Sequence, residues 1–318
     1  MAVSRKRMIK KVMNWAGVAF FVFAVYALYS QLSKHSWVDI KGALLAIPGF
    51  NLLLALAAAA AGYVVLSMYE WLALRYIGRK LATWKWMLAG FMGFAITNNA
   101  GTAIVTGAAM RYRLYTMWKI QLSNIIKMII FSGFTYLTGC FFLLAVGYFL
   151  IPEGARGASV ISLVVWPSVA ALLAYLFVTL FYHGKKVNIG EHSMKIPSTG
   201  TMLAQGILGF TDTVVASLVL YSVLSALVPV DFSTYVGVFA ISQVIGVYTP
   251  VPGALGVFEG LFMFLLPEAQ GNEAAVFAAL IAYRIIYFLI PLAFTGAIMA
   301  FMTIQSRRRY RRVTKKAG

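Results

Sequence analysis

The fold class this sequence predicts is an all-α polytopic membrane protein built as an inverted-topology repeat: about six spanning helices plus two broken, re-entrant helical hairpins. Three observations lead there. Of the 318 residues, 61% are hydrophobic and the mean hydropathy is +0.83, which is membrane rather than water-exposed composition. Lys and Arg gather in the termini and in alternate short loops. Two apolar stretches at corresponding places in the chain are interrupted by glycine, and one of them by proline as well.

In chain order, Arg5, Lys6, Arg7, Lys10 and Lys11 precede an apolar run of about 18 residues, Trp15 to Leu32. No small-residue cleavage pattern follows, so an uncleaved first span is expected. Residues 36–48 place Trp37, Ile40, Leu44 and Ile47 on one helical face, an interfacial helix closed by Pro48-Gly49. A second span runs from Asn51 to about Leu72 and carries Glu70 near its end. The loop 73–85, with Arg75, Arg79, Lys80 and Lys85, is expected in the cytoplasm.

The first broken segment covers Trp86 to Met110 and centres on Asn98-Asn99-Ala100-Gly101. Arg111, Arg113 and Lys119 follow it, so both flanks are basic and the segment reads as a hairpin dipping in from the cytoplasmic side. Further spans are expected at 124–150, 161–182 and 201–228, the last containing Asp212. The loop Pro152 to Gly157 reads as external, and the one with Lys185, Lys186 and Lys195 as cytoplasmic.

The second broken segment, Phe239 to Glu259, reads FAISQVIGVYTPVPGALGVFE. Proline removes an amide donor and clashes with the preceding turn, and glycine weakens helix, so Pro250, Pro252, Gly253 and Gly256 forbid one regular rod. Backbone broken at membrane depth survives only when buried in protein or lining a wet cavity. A fainter copy lies upstream. Phe94-Ala95-Ile96-Thr97 answers Phe239-Ala240-Ile241-Ser242, and Thr106-Gly107-Ala108 answers Pro252-Gly253-Ala254 one residue out of step. Asp231 before this segment and Glu268 and Glu273 after it indicate approach from outside. A last span, 274–303, contains Arg284 and leads to the basic tail.

Predicted cytoplasmic segments then hold 22 Lys and Arg against one acid, Glu191. External ones hold Lys34, Lys41 and Arg156 against Asp39, Glu153, Asp231, Glu268 and Glu273. The layout is a single membrane domain, 1–318, with repeat halves 12–150 and 160–304, a cytoplasmic tail 305–318 and both termini inside. The competing layout makes both broken segments full spans, eight in all, at the cost of placing Arg111, Arg113 and Lys119 outside.

A charge at mid-bilayer costs about 2.5–3.5 kcal/mol on insertion scales, so such residues face the protein interior and pair. Glu259 and Arg284 are expected to pair or to share a polar cavity. Glu70, Arg111 and Arg113 form a second cluster, in which the planar guanidinium fork suits a phosphate headgroup. Positive-inside anchoring alone is the alternative for either arginine. Asp212 is a further candidate substrate-binding residue, with a structural reading beside it: Thr211 and Thr213, which flank it, would satisfy it by hydrogen bonding. Asn98, Asn99, Gly101 and Gly107 in one segment, with Pro250, Pro252, Gly253 and Gly256 in the other, are the candidate hairpin and hinge positions.

The net charge of +18 is topological, not a nucleic-acid footprint. His35, His183 and His192 lack metal-ligand spacing, no dinucleotide loop is present, and no cofactor is expected. Cys140, in an apolar run, reads as a packing residue. Trp84, Trp86, Trp118 and Trp166 read as an interfacial aromatic belt.

Three motifs in order carry a family resemblance: Met110-Arg111-Tyr112-Arg113-Leu114-Tyr115, Pro252-Gly253-Ala254-Leu255-Gly256-Val257-Phe258-Glu259 and Ala282-Tyr283-Arg284-Ile285-Ile286-Tyr287. With Tyr69-Glu70, they resemble the transmembrane region of the lysylphosphatidylglycerol synthase family. That family includes the multiple peptide resistance factor and stand-alone bacterial inner-membrane proteins of the YbhN type. The resemblance implies a lipid-translocation scaffold with headgroup handling at Glu70, Arg111, Glu259 and Arg284. It does not imply aminoacyl transfer, because the soluble transferase domain of those relatives is not within these residues. The expected function is a lipid flippase or transporter of the bacterial inner membrane, not an enzyme, with membrane lipids as its partners. A membrane anchor or regulatory subunit for a lipid-synthesising enzyme, an ion-coupled carrier of a small anion, and assembly as a homo-oligomer stay open.

Overall fold

The computed structural model describes residues 37–99, 103–150, 159–189, 192–249 and 251–317. The expected first span at 15–32, the external loop at 152–157, Gly101 and Pro250 lie outside them.

The described residues are almost wholly helical. Helix α1 (Trp37–Ala46) forms where an interfacial helix is expected, with Ile40 of the expected face buried and Trp37 exposed, and Pro48 stands at the cap of α2 (Gly49–Tyr76). Helices α3 (Thr83–Asn99) and α4 (Ala103–Met117) form the first broken segment. After α5 (Leu122–Leu150) and α6 (Ser159–Tyr182) comes a two-stranded antiparallel hairpin, β1 (Lys186–Ile189) and β2 (His192–Lys195). Helix α7 (Thr199–Leu224) leads to the second broken segment: α8 (Phe232–Tyr248), a 3₁₀ turn at Pro252–Ala254 and α9 (Val257–Leu265). Helix α10 (Glu273–Arg284), a π turn at Ile285–Leu289 and α11 (Ile290–Ala317) complete the chain.

Five stretches among the described residues are long and apolar enough to cross a membrane: Gly49–Tyr76, Leu122–Leu150, Ser162–Tyr182, Thr199–Leu224 and Glu273–Gln305. This is a polytopic α-helical membrane protein. Large apolar side chains such as Leu163, Phe177, Leu203, Phe264, Phe294 and Phe301 stay exposed on its helices, as a lipid-facing surface requires. Cys140 is buried in the main apolar core.

The arms of the broken segments are shorter than spans. They run 17 and 15 residues in the first and 17 and 9 in the second, against the roughly 20 that a bilayer core needs. Each pair folds back on itself. In the first, Gly93 lies against Arg111 and Gly107 against Thr97. In the second, Tyr235 meets Phe262 and Phe239 meets Phe258. In both, partners rise along one arm as they fall along the other, so the arms are antiparallel.

Helix α5 packs on α8 and α11 on α3, while α2 and α7 pack on each other. The crossing of α5 and α7 is close enough that a Cβ built on Gly139 would lie 2.0 Å from the Gly209 carbonyl carbon. Only small residues allow backbones to approach in this way. On α8, Asp231 caps the first turn and accepts from the Thr234 amide at 2.8 Å and from the Ser233 hydroxyl. Those donors hold its pKa below the ordinary aspartate value.

The last span, expected at 274–303, is interrupted by a π turn at Ile285–Leu289. Pro291 has no N–H to return to the Tyr287 carbonyl four residues back, and the helix widens into the π turn just before it. The Tyr287 carbonyl is taken up by the Tyr63 hydroxyl of α2 at 3.1 Å. The neighbouring Phe288 carbonyl accepts from the Asn99 amide of α3, also at 3.1 Å.

Candidate functional site

Two buried ion pairs fasten the second arm of each hairpin. On α4, Arg111 and Tyr115 are one turn apart and so face α2 together. Arg111 Nε donates to Glu70 Oε1 at 2.6 Å, and the Tyr115 hydroxyl donates to Oε2 at 2.8 Å. Glu70 is fully buried, and its carboxylate has a partner on each oxygen. The guanidinium lies 4.5 Å from the Phe94 ring centroid, and its Nη2 is buried without a partner.

In the second hairpin, Glu259 sits in the first turn of α9. Its Oε2 accepts the Gly256 amide at 2.7 Å, the reach-back half of a helix cap. Its Oε1 accepts Arg284 Nε at 2.6 Å, while Arg284 Nη1 donates to the Gly253 carbonyl at 2.6 Å. One arginine therefore ties α10 to both the tip and the second arm. The guanidinium also stacks near Phe288, 4.6 Å from its centroid. The tip takes left-handed backbone at Gly253 (φ +56), Ala254 (φ +52) and Gly256 (φ +79), which glycine tolerates and most residues resist.

The two tips meet. A Cβ built on Gly253 would fall 3.1 Å from the Asn98 carbonyl and 3.4 Å from Arg284 Nη1. Asn99 bonds back to Ala95 and across to Phe288. Pro252 opens the 3₁₀ turn, and Gly107 lies on the arm contact with Thr97. Thus Glu70 meets Arg111, Glu259 meets Arg284, and Asn98 meets Gly253. Arg113, two residues beyond Arg111 and so on another face of α4, is exposed and outside the cluster.

Asp212 stands apart from both pairs, and its partners are not its neighbours. Thr211 and Thr213 return their hydroxyls to the carbonyls of Ile207 and Gly209 on their own helix, a common habit of threonine in helices. Instead the Tyr69 hydroxyl of α2 donates to Asp212 Oδ2 at 3.1 Å, while Oδ1 is buried with no partner. Tyr63, Tyr136, Tyr283 and Tyr287 lie within electrostatic reach of this carboxyl group. Gln243 donates to the Tyr136 hydroxyl at 2.9 Å, extending the network to α8. These tyrosines were not read as site residues. The available signal was that Tyr115, Tyr283 and Tyr287 lie inside the family motifs, the first one turn from Arg111 and the other two beside Arg284. No group of three or more His, Cys, Asp or Glu side chains able to hold a metal gathers among the described residues.

The fold and the paired charges define a multi-pass membrane protein with two broken helical segments clamped at their tips. No family model matches the sequence. Among individual proteins, the chain is 32% identical over 301 residues to the uncharacterized protein slr0712 of Synechocystis sp., covering 93% of each. It is 26% identical over 321 residues to inner membrane protein YbhN of Escherichia coli, covering 99% of this chain and 98% of that one. Phosphatidylglycerol lysyltransferase of Staphylococcus xylosus is 23% identical over 297 residues, which are 92% of this chain and 34% of the enzyme. The chain belongs to the YbhN-like family, and its sequence also matches the transmembrane portion of the phosphatidylglycerol lysyltransferases.

Proposed function

We propose that this protein is a lipid translocator of the bacterial inner membrane, moving a phospholipid or another anionic lipid headgroup between leaflets. The observation that carries this reading is the pair of helical hairpins whose tips touch at Asn98 and Gly253, each with its second arm held by a buried Arg–carboxylate pair. In this reading the hairpins are re-entrant from opposite faces. The halves 12–150 and 160–304 form the inverted repeat, and rocking one against the other opens the interior to each leaflet in turn. An arginine released from its carboxylate offers a planar fork for a phosphate, so Arg111 and Arg284 take the headgroup while acyl chains remain in lipid. The unpartnered Nη2 of Arg111 is already available for such an oxygen. Support comes also from the relatives, one named an inner membrane protein and others named for a phosphatidylglycerol reaction. The match to the lysyltransferases covers about a third of their length, so this reading takes up lipid handling and leaves aminoacyl transfer aside. Orientation follows the basic loops, with both termini in the cytoplasm.

The test is reconstitution of the full chain in vesicles containing fluorescent phosphatidylglycerol, phosphatidylethanolamine or phosphatidylcholine. Accelerated leaflet exchange for at least one anionic lipid, reduced at least tenfold in the folded E259Q/R284Q variant, is the expected result. Exchange indistinguishable from empty vesicles for every headgroup sinks the reading.

A second reading, a membrane anchor for a lipid-modifying enzyme, is favoured by one observation. Both ion pairs are closed and supplemented by further hydrogen bonds, as structural latches would be. A stoichiometric enzyme partner recovered with the protein, together with full function in E259Q/R284Q, selects it.

A further inference from the structure

Outside the hairpins, the turn from α2 into α3 builds a second concave site. Trp71, Arg75, Arg79, Lys80, Thr83 and Trp86 line a cleft of about 420 Å³ together with Leu74 and Leu81. Its shape follows from the end of α2. The amides of Gly78 and Arg79 bond back to the carbonyls of Arg75 and Leu74, and Gly78 takes φ +69, so the chain reverses over the helix end. Arg79 and Lys80 are thereby brought beside Arg75. One turn before Arg75, Trp71 lies under its guanidinium, 4.9 Å from ring centroid to cation.

Three features specify what the cleft takes. It holds three cations and no acid. None of the three has a carboxylate within salt-bridge distance among the described residues. One of its two indoles, Trp86, belongs to the belt expected at the interface, and Lys85 beside it sits over the rings of Trp84 and Trp118. Finally, Leu53, Ala60, Val64, Trp71 and Arg75 are all exposed and recur at helical spacing, so one apolar stripe runs the length of α2 and ends in the cleft. Glu70, beside Trp71 in sequence, is buried on another face, so this site is separate from the interior one.

We infer that this cleft is a docking site for the phosphate of an acidic phospholipid, held from the membrane with an acyl chain along the α2 stripe. The three cations recognise the anionic phosphate, and the stripe recognises the chain attached to it. A soluble phosphate uses the first and not the second. The N-terminal segment is the wrong occupant by charge, since Arg5, Lys6, Arg7, Lys10 and Lys11 would face three cations. The inference requires lipid binding only and holds whether or not the protein translocates lipid.

The experiment uses the full chain in detergent, titrated with phosphatidylglycerol, phosphatidylcholine or inorganic phosphate and followed by native mass spectrometry and thermal unfolding. Phosphatidylglycerol should bind and stabilise more than phosphatidylcholine. In R75Q/R79Q/K80Q its affinity should fall roughly a hundredfold, since each near-surface cation is worth about a factor of five. Unchanged preference in the triple variant overturns the site. So does equal stabilisation by inorganic phosphate at matched concentration, which would indicate a free-anion site. Should the triple variant fail to fold, the native chain supplies the test. Brominated-chain phosphatidylglycerol should quench tryptophan emission more than its phosphatidylcholine counterpart, and W71F/W86F should lose that excess. An excess that survives in W71F/W86F overturns the inference. Leaflet exchange is measured in none of these arms, so their failure leaves the translocator reading standing.

Discussion

At the scale of single residues, Arg284 and Glu259 make more than a charge pair. Each also holds backbone: Glu259 accepts the Gly256 amide, and Arg284 donates to the Gly253 carbonyl. Removing one charge from a buried pair strands the other, at a cost of about 3–5 kcal/mol, whereas replacing both is far less damaging. Arg284→Gln alone is therefore expected to lower stability by about that amount, and the double variant E259Q/R284Q to recover most of it. Thermal unfolding in detergent measures both. The charge swap E259R/R284E should recover only part, because arginine cannot accept the Gly256 amide and glutamate cannot donate to Gly253. Full recovery of stability in the swap would show that the backbone bonds contribute little. Asp212 follows a different logic. Its carboxyl group has tyrosine hydroxyls around it and no cation within ion-pair distance among the described residues, so nothing on its own helix announces its surroundings.

At the scale of elements, glycine sets how closely helices cross. A Cβ on Gly209 would lie 2.3 Å from the Thr135 carbonyl, and one on Gly139 would meet the Gly209 backbone. Backbone cannot swing aside as a side chain can, so the α5–α7 crossing must open. Gly209→Ala is expected to cost about 1–3 kcal/mol, the range for overpacking a tight contact, while Gly133→Ala on the same α5, with nothing within 4 Å, should be neutral or slightly stabilising. Comparison of their unfolding midpoints checks this, and equal midpoints would refute the close-packed crossing. The spans were legible because hydropathy is a local property: α2, α5, α6 and α7 begin or end within a few residues of the sequence reading. The second break was legible because proline and glycine act on their own backbone. The β-hairpin at 186–195 was not: β1, KVNI, alternates polar and apolar, but four residues are too short a run to mark a strand, and β2, HSMK, carries only Met194. The π turn was missed because Ile285–Leu289 contains neither glycine nor proline, and its cause, Pro291, lies beyond it. The Tyr69–Asp212 contact spans 143 residues, a distance that no local pattern encodes.

At the scale of the whole molecule, α5 braces the second broken segment and α11 the first, and where the tips meet Gly253 lies against Asn98. If the tips must part and rejoin as the interior turns from one leaflet to the other, bulk at that contact should impede function more than it impairs folding. Gly253→Ala combines two effects, a left-handed backbone at φ +56 and a new Cβ 3.1 Å from the Asn98 carbonyl. Gly271→Ala separates them, since Gly271 has φ +81 and nothing within 4 Å. Both variants should lose about 1–2 kcal/mol to backbone strain, read as similar drops in unfolding midpoint. Only Gly253→Ala should change leaflet exchange, by at least several-fold, because only it touches the opposite tip. The direction of the change is informative: slower exchange means that closure of the tips is needed for each cycle, and faster exchange means that the tips form the barrier. Equal exchange in the two variants and the native chain would falsify the tip contact as a moving part and leave it a fixed joint.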